Sequence, residues 1–300
     1  MHTARPVAVA GLSGPTLRYA EVLPGPTLRR LGAADFAFDA ERVAFAGDAP
    51  NAPSDALGVI ADALRDGLGG TDAPALVVAA HPTATTAFFT PLPVGIDPEA
   101  RDAQVRQETA LLADLPSDRP VRARARAVRT EATIAGARDW YHVVHADDGA
   151  LGRLGALAGA LGLPAVDIAD STRAASAAAG DGARDGGPVL LVGAYGRHTE
   201  VAVAVGGEFR FGTHGPSTEA TDTAYFALAA LQQAGVAAPD VAALRVYGDA
   251  ATAERLGLVV DFVGRAAVAL DPFGPFRRRP SGDAADLAAF APVLGAALVP

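Results

Sequence analysis

The sequence predicts an α/β fold made of a duplicated β-β-β-α-β unit, with a small α/β subdomain inserted into the first half. Three short apolar segments separated by glycine turns, from Pro188 to Gly215, predict a three-stranded meander. Residues 6–32 repeat that layout, and each meander is followed by a helical pattern and then by an apolar run. Folds in which strands and helices alternate from the start do not begin with such a meander.

The elements after the first meander are predicted from their periodicity. The segment DFAFDAERVAFA, residues 35–46, has alternating apolar positions and predicts a strand. Ser54 is expected to cap a helix that ends near Gly67. The run from Ala75 to Ala80 is fully apolar, which predicts a buried strand of a mixed or parallel sheet.

Residues 85–150 have a different pattern and are interpreted as the inserted subdomain. Within this segment, residues 88–98 are expected to be irregular. Pro98–Leu115 predicts an amphipathic helix, and Trp140–His145 predicts a strand.

The end of the first half is predicted from a helix, a strand and a linker. Leu151–Leu161 predicts a helix, and Val166–Ala179 predicts a short strand followed by an alanine-rich helix. The segment at 181–187 is rich in glycine and aspartate and is the best linker candidate. We therefore place the first domain at 1–180 and the second at 181–300.

The second half is expected to repeat the order of the first. After its meander we predict a helix at Thr218–Gln233 closed by Gly235, a strand at Leu244–Tyr247, a helix at Ala250–Leu256, a strand at Leu258–Phe262 and a final helix after Ser281. This duplication is the main argument for the predicted fold.

Composition excludes several kinds of chemistry. The chain has 300 residues, is 50% hydrophobic and carries a net charge of −9, so it can bury a large core and its mean field repels nucleic acid. The 25 lysine-plus-arginine residues are all arginine, which excludes a Schiff-base lysine and a P-loop lysine. Cysteine is absent, which excludes disulfides, thiolate catalysis and cysteine-bound metals.

The apolar runs are too short for membrane insertion. The run before Gly11 is shorter than the core of a signal peptide, and no stretch reaches the roughly 18 apolar residues of a spanning helix. We therefore expect a cytoplasmic protein with no membrane segment of its own.

Five passages carry a resemblance to a known superfamily. They are FFTPLPVGIDPEARDAQVRQETALL, GLPAVDIADSTRAASA, VGAYGRHTEVAVAVGGEFRF, the DPF before the terminal helix, and TDTAYFALAALQQAGV with the following RVYGDA. In these the chain resembles the actin-like ATPase superfamily, and more narrowly the branch with FtsA and the type IV pilus assembly protein PilM. The last passage is also similar to an uncharacterised bacterial family of the same superfamily. The resemblance implies two actin-like, ribonuclease H-like domains of β-β-β-α-β-α-β order, with the small subdomain inserted into the first.

Members of that superfamily that hydrolyse ATP have an aspartate two residues before a glycine in the turn of each meander. These aspartates hold Mg²⁺ through water, and the N–H groups and hydroxyls of the turn bind phosphate. The matching position here is Val9 or Leu12 in the first turn and Leu191 or Ala194 in the second, depending on the glycine chosen. The resemblance therefore implies a protein that lacks both of these acids.

The turn residues remain candidates for ATP held without Mg²⁺. Arg18 or Arg197 would then replace the charge of the metal, and phosphate oxygens would accept from hydroxyls and backbone N–H groups. The alternative is a pair of plain hairpin turns in which glycine supplies positive φ. The candidate cofactor-binding residues are Gly11, Ser13, Gly14, Thr16, Gly193, Gly196, Thr199 and Gly248.

Other polar residues have both a functional and a structural interpretation. His198 lies at the second turn, where an exposed histidine is the commoner outcome. Asp167 and Asp170 lie near where the superfamily holds a water-activating acid, and Asp170 equally suits the cap of the next helix. His142 and His145 fall on opposite faces of a strand, so no metal site is predicted there.

Two arginine clusters stand out on this acidic chain. Arg122, Arg124 and Arg126 alternate along a predicted strand, and three guanidinium groups on one face suit an acidic protein partner. The alternative is an edge strand whose charges prevent aggregation. The arginine run at 277–279 is interpreted as a solvated turn.

These observations lead to two functional hypotheses. The first is a cytoplasmic actin-like scaffold, similar to PilM, without ATP hydrolysis or a required cofactor. In the pilus family the second-domain cleft and the inserted subdomain handle a peptide tail of an inner-membrane protein and self-association. This chain would then reach the inner face of the membrane through such a partner. The second hypothesis is an ATPase or phosphotransferase of the same superfamily that uses arginine in place of the metal.

Overall fold

Three sheets and the helices packed against them make up most of the described chain. The structure, a computed structural model, describes residues 5–115, 121–134, 136–180, 187–277 and 280–299. The strands are β1 (Val7–Ser13), β2 (Thr16–Leu23), β3 (Thr27–Asp35), β4 (Leu76–Ala80), β5 (Thr86–Pro93), β6 (Ala123–Thr133), β7 (Gly136–His145), β8 (Val166–Asp170), β9 (Val189–Ala194), β10 (Thr199–Val205), β11 (Glu208–Gly215), β12 (Ala243–Tyr247) and β13 (Ala267–Ala269). The helices are α1 (Ala40–Phe45), α2 (Ala56–Leu68), α3 (Pro98–Leu112), α4 (Asp148–Ala160), α5 (Ser171–Ala178), α6 (Ala220–Ala234), α7 (Ala253–Val263), α8 (Ala284–Ala288) and α9 (Ala291–Ala296).

The two five-stranded sheets have the same strand order, β3-β2-β1-β4-β8 and β11-β10-β9-β12-β13. In each sheet the meander strands pair antiparallel. The next strand pairs parallel to the first meander strand, and the last strand pairs parallel to that one. Apolar residues fill both faces of the central strands, which explains their nearly continuous burial. The predicted duplicated α/β fold is therefore confirmed.

The third sheet, β5-β7-β6, is antiparallel and is formed within the segment interpreted as an insertion. The prediction of an irregular segment at 88–98 is wrong, because Thr86–Pro93 pairs along its whole length with β7. Pro91 and Pro93 obscured this strand, and they are tolerated because β5 is an edge strand.

Two predicted strands are helical. Residues 40–45 form α1, because the side chain of Asp39 caps the segment by accepting from the backbone N–H of Arg42. Leu258–Phe262 belongs to α7, which begins after the capping Thr252 and ends at Gly264 with a φ of 66°. In both segments the apolar spacing fits a strand or a helix, and the capping residues decide.

The predicted stripe of α3 is only partly buried. Val105 packs inside, whereas Leu111 and Leu112 are 74% and 59% exposed. The predicted linker at 181–187 lies almost entirely outside the described residues, and so does most of the run at 277–279. Among the described residues, no helix combines the length and the apolar character needed to cross a membrane.

Candidate functional site

A cleft between the two halves opens beside the turns that follow β1 and β9. Its cavity of about 760 Å³ is lined by residues from both halves, including Ser13, Gly14, Glu41, Arg42, Tyr195, Gly196, Arg197, His198 and Asp249. Of the predicted cofactor-binding residues, Ser13, Gly14 and Gly196 line this cavity. The cleft is the place where the two predicted turns meet.

The backbone groups of Gly14 and the hydroxyl of Thr16, at the first turn, already form hydrogen bonds within the protein. The backbone N–H of Gly14 donates to Glu41 Oε2 at 3.0 Å, and the N–H of Glu41 donates back to the carbonyl of Gly14 at 3.0 Å. Thr16 Oγ1 donates to Asp35 Oδ1 at 2.6 Å. Gly14 adopts a φ of 53°, as a tight turn requires. A carboxylate therefore occupies the donor that a phosphate would use.

Two of the predicted turn glycines lie inside strands, which corrects their assignment to the turns. Gly11 is in β1, and a Cβ there would stand 2.8 Å from Val293 of α9. Gly193 is in β9, and a Cβ there would stand 2.6 Å from the ring of Tyr247. Both glycines make room for packing side chains, and neither lines the cleft cavity.

A buried arginine forms hydrogen bonds with the backbone of the second turn. Arg255 of α7 donates to the carbonyl of Tyr195 at 2.7 Å and to the carbonyl of His198 at 2.6 Å. It also donates to Thr199 Oγ1 at 2.6 Å, and Thr199 Oγ1 donates to the carbonyl of Ser217 at 3.0 Å. Thr199 is fully buried in β10, so its hydroxyl is structural.

Gly248 permits a close approach of two backbone segments. It has a φ of 90°, and a Cβ at this position would lie 2.2 Å from the carbonyl oxygen of Ala194. This glycine is predicted to flank an adenosine. In the structure, the space beside its Cα is occupied by the backbone of Ala194. The following Asp249 lines the cleft and adds a negative charge.

The positions that carry acids in ATP-hydrolysing relatives are apolar and buried. Val9 and Leu191 are fully inaccessible, and Leu12 and Ala194 are exposed by 2% or less. They belong to the cores of the two halves. No register of either turn brings an acid to a metal-holding position.

Glu200, on β10, is the centre of a buried polar network below the cleft. His81 Nδ1 lies 2.6 Å from Glu200 Oε1, and His198 Nε2 lies 3.2 Å from the same oxygen. Ser171 Oγ donates to Oε1 at 2.7 Å, and the Tyr247 hydroxyl donates to Oε2 at 3.1 Å. His81 follows β4 of the first half, so the network joins the two halves. The expectation of an exposed His198 is wrong.

The charges of this network stabilise each other. Burial alone would lower the pKa of His81, but the facing Glu200 carboxylate raises that pKa from 6.5 to about 9. Burial alone would raise the pKa of Glu200, but charged His81 and the hydrogen bonds from the two histidines hold it well below its usual range. At neutral pH the network therefore contains a buried ion pair.

Three residues of this network have side chains that can bind a metal ion, and they form such a group among the described residues. Candidate ligand atoms of His81, His198 and Glu200 lie within 4.8 Å of one another. Two ligands of one tetrahedral zinc, at bond lengths of about 2.0–2.2 Å, stand roughly 3.3 Å apart. The 2.6 Å between His81 Nδ1 and Glu200 Oε1 is shorter and fits a hydrogen-bonded ion pair better.

A second link crosses the cleft nearer to its mouth. The guanidinium of Arg197, in the second turn, forms an ion pair with Asp39 at the start of α1. Arg18, the other candidate for replacing a metal charge, places its guanidinium 5.9 Å from the ring of Phe290 and does not line the cleft cavity. Arg197 is therefore already committed to a carboxylate.

A groove separates the third sheet, β5-β7-β6, from the rest of the first half; this sheet is called the inserted sheet below. Its cavity of about 760 Å³ is lined by Arg122 and Arg124 and by residues of α3, α4 and β8. Arg122 Nε lies 3.9 Å from Asp148, and Arg124 forms an ion pair with Asp167. Arg126 lines a smaller cavity beside the groove. The three predicted partner-binding arginines thus border two adjoining cavities.

The remaining candidates have structural partners. Asp170 accepts from the backbone N–H of Arg173 at 3.0 Å, which confirms the predicted helix cap. The ring of His142 is buried and stacks on Phe89 at 4.8 Å between centroids. His145 Nδ1 lies 2.9 Å from a backbone carbonyl. The two histidines have different surroundings.

The sequence interpretation missed Glu41, His81, Glu200 and Arg255. One signal was present for Glu200, because β10 reads TEVAVAV and a single acid in an otherwise apolar strand requires a buried partner. Arg255 lies in α7, a segment that the sequence pattern divides between a helix and a strand. No local pattern identifies His81.

Comparison with known structures identifies the fold of this chain. No protein-family model and no curated protein match the sequence. Among solved structures, a chain of the PilM–PilN type IV pilus biogenesis complex is similar with a TM-score of 0.68 and 15% identity, over 99% of this chain and 98% of that chain. A Bacteroides thetaiotaomicron protein with an actin-like ATPase fold and unknown function is similar with a TM-score of 0.53 and 8% identity, over 88% and 90% of the two chains. This chain therefore has the actin-like ATPase fold, as its sequence resemblance implied.

Proposed function

We propose that this protein is an actin-like scaffold that does not hydrolyse ATP and that binds a segment of a partner protein. The observation that carries the proposal is the hydrogen bond from the Gly14 N–H to the Glu41 carboxylate. A triphosphate placed at this turn would meet a negative charge where it needs a donor. Val9 and Leu191 are apolar at the positions where ATP-hydrolysing relatives carry the aspartates that hold Mg²⁺.

The groove beside the inserted sheet is the candidate site for the partner. It combines apolar walls, such as Val105 and Val144, with charged side chains such as Arg106 at its edge. A cavity of about 760 Å³ is large enough for several residues of an extended segment. The similarity to a chain that occurs in a complex of PilM with PilN supports a protein partner.

The same similarity supports a place in a pilus or secretion assembly. A partner with a membrane segment would bring this chain to the inner face of the membrane, and self-association would build the scaffold. The peptide tail of an inner-membrane protein is the partner we favour, since the groove would hold a short extended chain.

Calorimetry with Mg²⁺-ATP tests the absence of a working nucleotide site. Wild-type protein at high concentration is expected to give no binding heat and to release no phosphate. Glu41→Gln removes the repelling charge, and we expect that it still lacks hydrolysis because neither turn has an acid at the metal-holding position. Tight Mg²⁺-dependent binding by the wild type would overturn this part of the proposal.

Fluorescence anisotropy with labelled peptides tests the groove. The peptides are the cytoplasmic tails of inner-membrane proteins encoded next to this chain. Gly152 lines the groove and a Cβ there meets open space, so Gly152→Leu adds bulk without a clash and is expected to weaken binding at least tenfold. Gly159→Leu, on the same helix and outside the groove, is the matched control. Equal binding by both variants would exclude this groove.

A nucleotide-dependent enzyme is the second candidate, favoured by the size of the cleft and by Arg42 and Arg197 on its walls. Gly196 lines the cleft and a Cβ there meets open space, so Gly196→Val would add bulk to the wall of the cleft with little strain. Phosphate release that this substitution abolishes would support the enzyme and refute the scaffold.

A further inference from the structure

A small cavity beside the groove is walled by three arginines. Arg124 and Arg126 enter from β6 of the inserted sheet, and Arg173 enters from α5 of the first half. The cavity measures about 40 Å³ and shares Arg124 and Val144 with the larger groove. On a chain with a net charge of −9, this is a local concentration of positive charge that adjoins the proposed partner site.

Two of these arginines face the cavity without an ion-pair partner among the described residues. Arg124 pairs with Asp167, whereas neither Arg126 nor Arg173 forms an ion pair there. Asp170 also lines the cavity, but one of its oxygens accepts from the N-terminus of α5. Three arginines against two aspartates leave an excess of one positive charge.

The surroundings of both guanidinium groups disfavour their charge. Burial lowers the pKa of Arg126, and the neighbouring Arg124 lowers it further. Burial, followed by repulsion from Arg126, lowers the pKa of Arg173 to about 10, although the Asp170 carboxylate offsets part of this effect. His142 on the same wall also has a lowered pKa, chiefly because of burial, and is neutral at pH 7. An anion between the guanidinium groups would relieve this repulsion.

We propose that this pocket binds a carboxylate of the protein segment that occupies the groove, with Arg126 and Arg173 as its ligands. The proposal rests on the scaffold function and adds that the partner segment is acidic where it passes Arg124. Guanidinium groups present paired donors that match the two oxygens of a carboxylate. The cavity has room for one such group and excludes a nucleotide.

Arginine side-chain NMR tests the pocket directly on the whole protein. The Nε–Hε resonances of the two ligands are assigned with Arg126→Gln and Arg173→Gln. N-acetylglutamate α-amide is expected to shift both resonances in a saturable way, and N-acetylglutamine α-amide is expected to shift neither. Arg65, in a surface ion pair with Asp62, is the internal control. Inorganic phosphate is the third probe.

Each result decides the proposal. Shifts by the glutamate probe that exceed those of Arg65 support a carboxylate pocket. Shifts by phosphate alone indicate a site for a free anion and overturn the assignment to a protein segment. The absence of shifts with all probes overturns the pocket itself.

Stability supplies a second readout that does not depend on ligand affinity. In chloride buffer, Arg173→Gln is expected to raise Tm by about 2 °C or more, because it removes a repelled and partly buried charge. Arg65→Gln is expected to leave Tm unchanged. A lower Tm for Arg173→Gln would show that Arg173 stabilises the fold, and it would refute the proposal that this side chain is free to bind a carboxylate. These measurements need no partner, so their failure is distinct from a failure of the scaffold proposal.

Discussion

Raising the pH above neutrality is expected to destabilise the protein through His81. Its pKa is raised from 6.5 to about 9 in the folded state, so folding favours the protonated ring. The resulting stabilisation is complete below pH 6.5 and is lost as the pH rises through about 9. Glu200 has a lowered pKa and therefore contributes its stabilisation above the ordinary carboxyl range, with no change in this window.

The size of the effect follows from the shift in pKa. A pKa of about 9 in place of 6.5 corresponds to about 3 kcal/mol, at 1.36 kcal/mol for each unit. Because folded domains are stable by only about 5–15 kcal/mol, a loss of this size is easily measured. We expect the urea midpoint to fall by about 1 M between pH 6.5 and pH 9.5.

Urea unfolding of the wild type, His81→Gln and His214→Gln across this range provides the assay. His81→Gln removes the titrating group and is expected to show a flat profile. His214 has a pKa lowered chiefly by burial, so it changes stability only below pH 6.5, and His214→Gln should keep the wild-type slope. A wild-type profile without a decline, or a decline that persists in His81→Gln, would refute the buried ion pair.

Two further predictions concern the cleft. Gly248→Ala is expected to lower stability by several kcal/mol in thermal unfolding, because its Cβ would collide with the carbonyl of Ala194. Gly264→Ala is the matched control with a similar positive φ in open space, and should cost about 1 kcal/mol. Arg197→Ala removes the partly exposed ion pair with Asp39, so it should change stability by less than about 1 kcal/mol. We expect it to speed hydrogen exchange at the mouth of the cleft, and unchanged exchange would contradict a link there.

The duplicated fold could be predicted because each meander has a local signal. The alternating valines of β10, at Val201, Val203 and Val205, and the turn at Gly206 and Gly207 are readable within a few residues. The antiparallel pairing of neighbouring strands follows from such turns without long-range information. The fold class could therefore be predicted from patterns formed by residues that are close in sequence.

Helix and strand were confused where local signals conflict. In α7, the apolar residues from Leu258 to Phe262 suit either period, and Thr252 and Gly264 at its ends were the deciding features. In β5 the prolines hid an edge strand. Attention to capping residues would have corrected the first error, and attention to edge positions the second.

The centre of the site could not be predicted because its contacts are long-range. His81 and Glu200 are 119 residues apart in sequence, and no local pattern connects them. Glu41 reaches the turn at Gly14 from a helix that was predicted as a strand. The glycines of the turns were recognised, but the fold uses Gly193 to accommodate Tyr247, a contact that only the assembled sheet defines.

The buried pair has a consequence for how the halves move. Opening the cleft would separate His81 from Glu200 and leave each charge without its partner. Loss of one partner of a buried ion pair costs about 3–5 kcal/mol. A nucleotide that bridges two halves supplies such a link only while it is bound. Here the link is part of the chain, so the closed arrangement does not depend on a ligand.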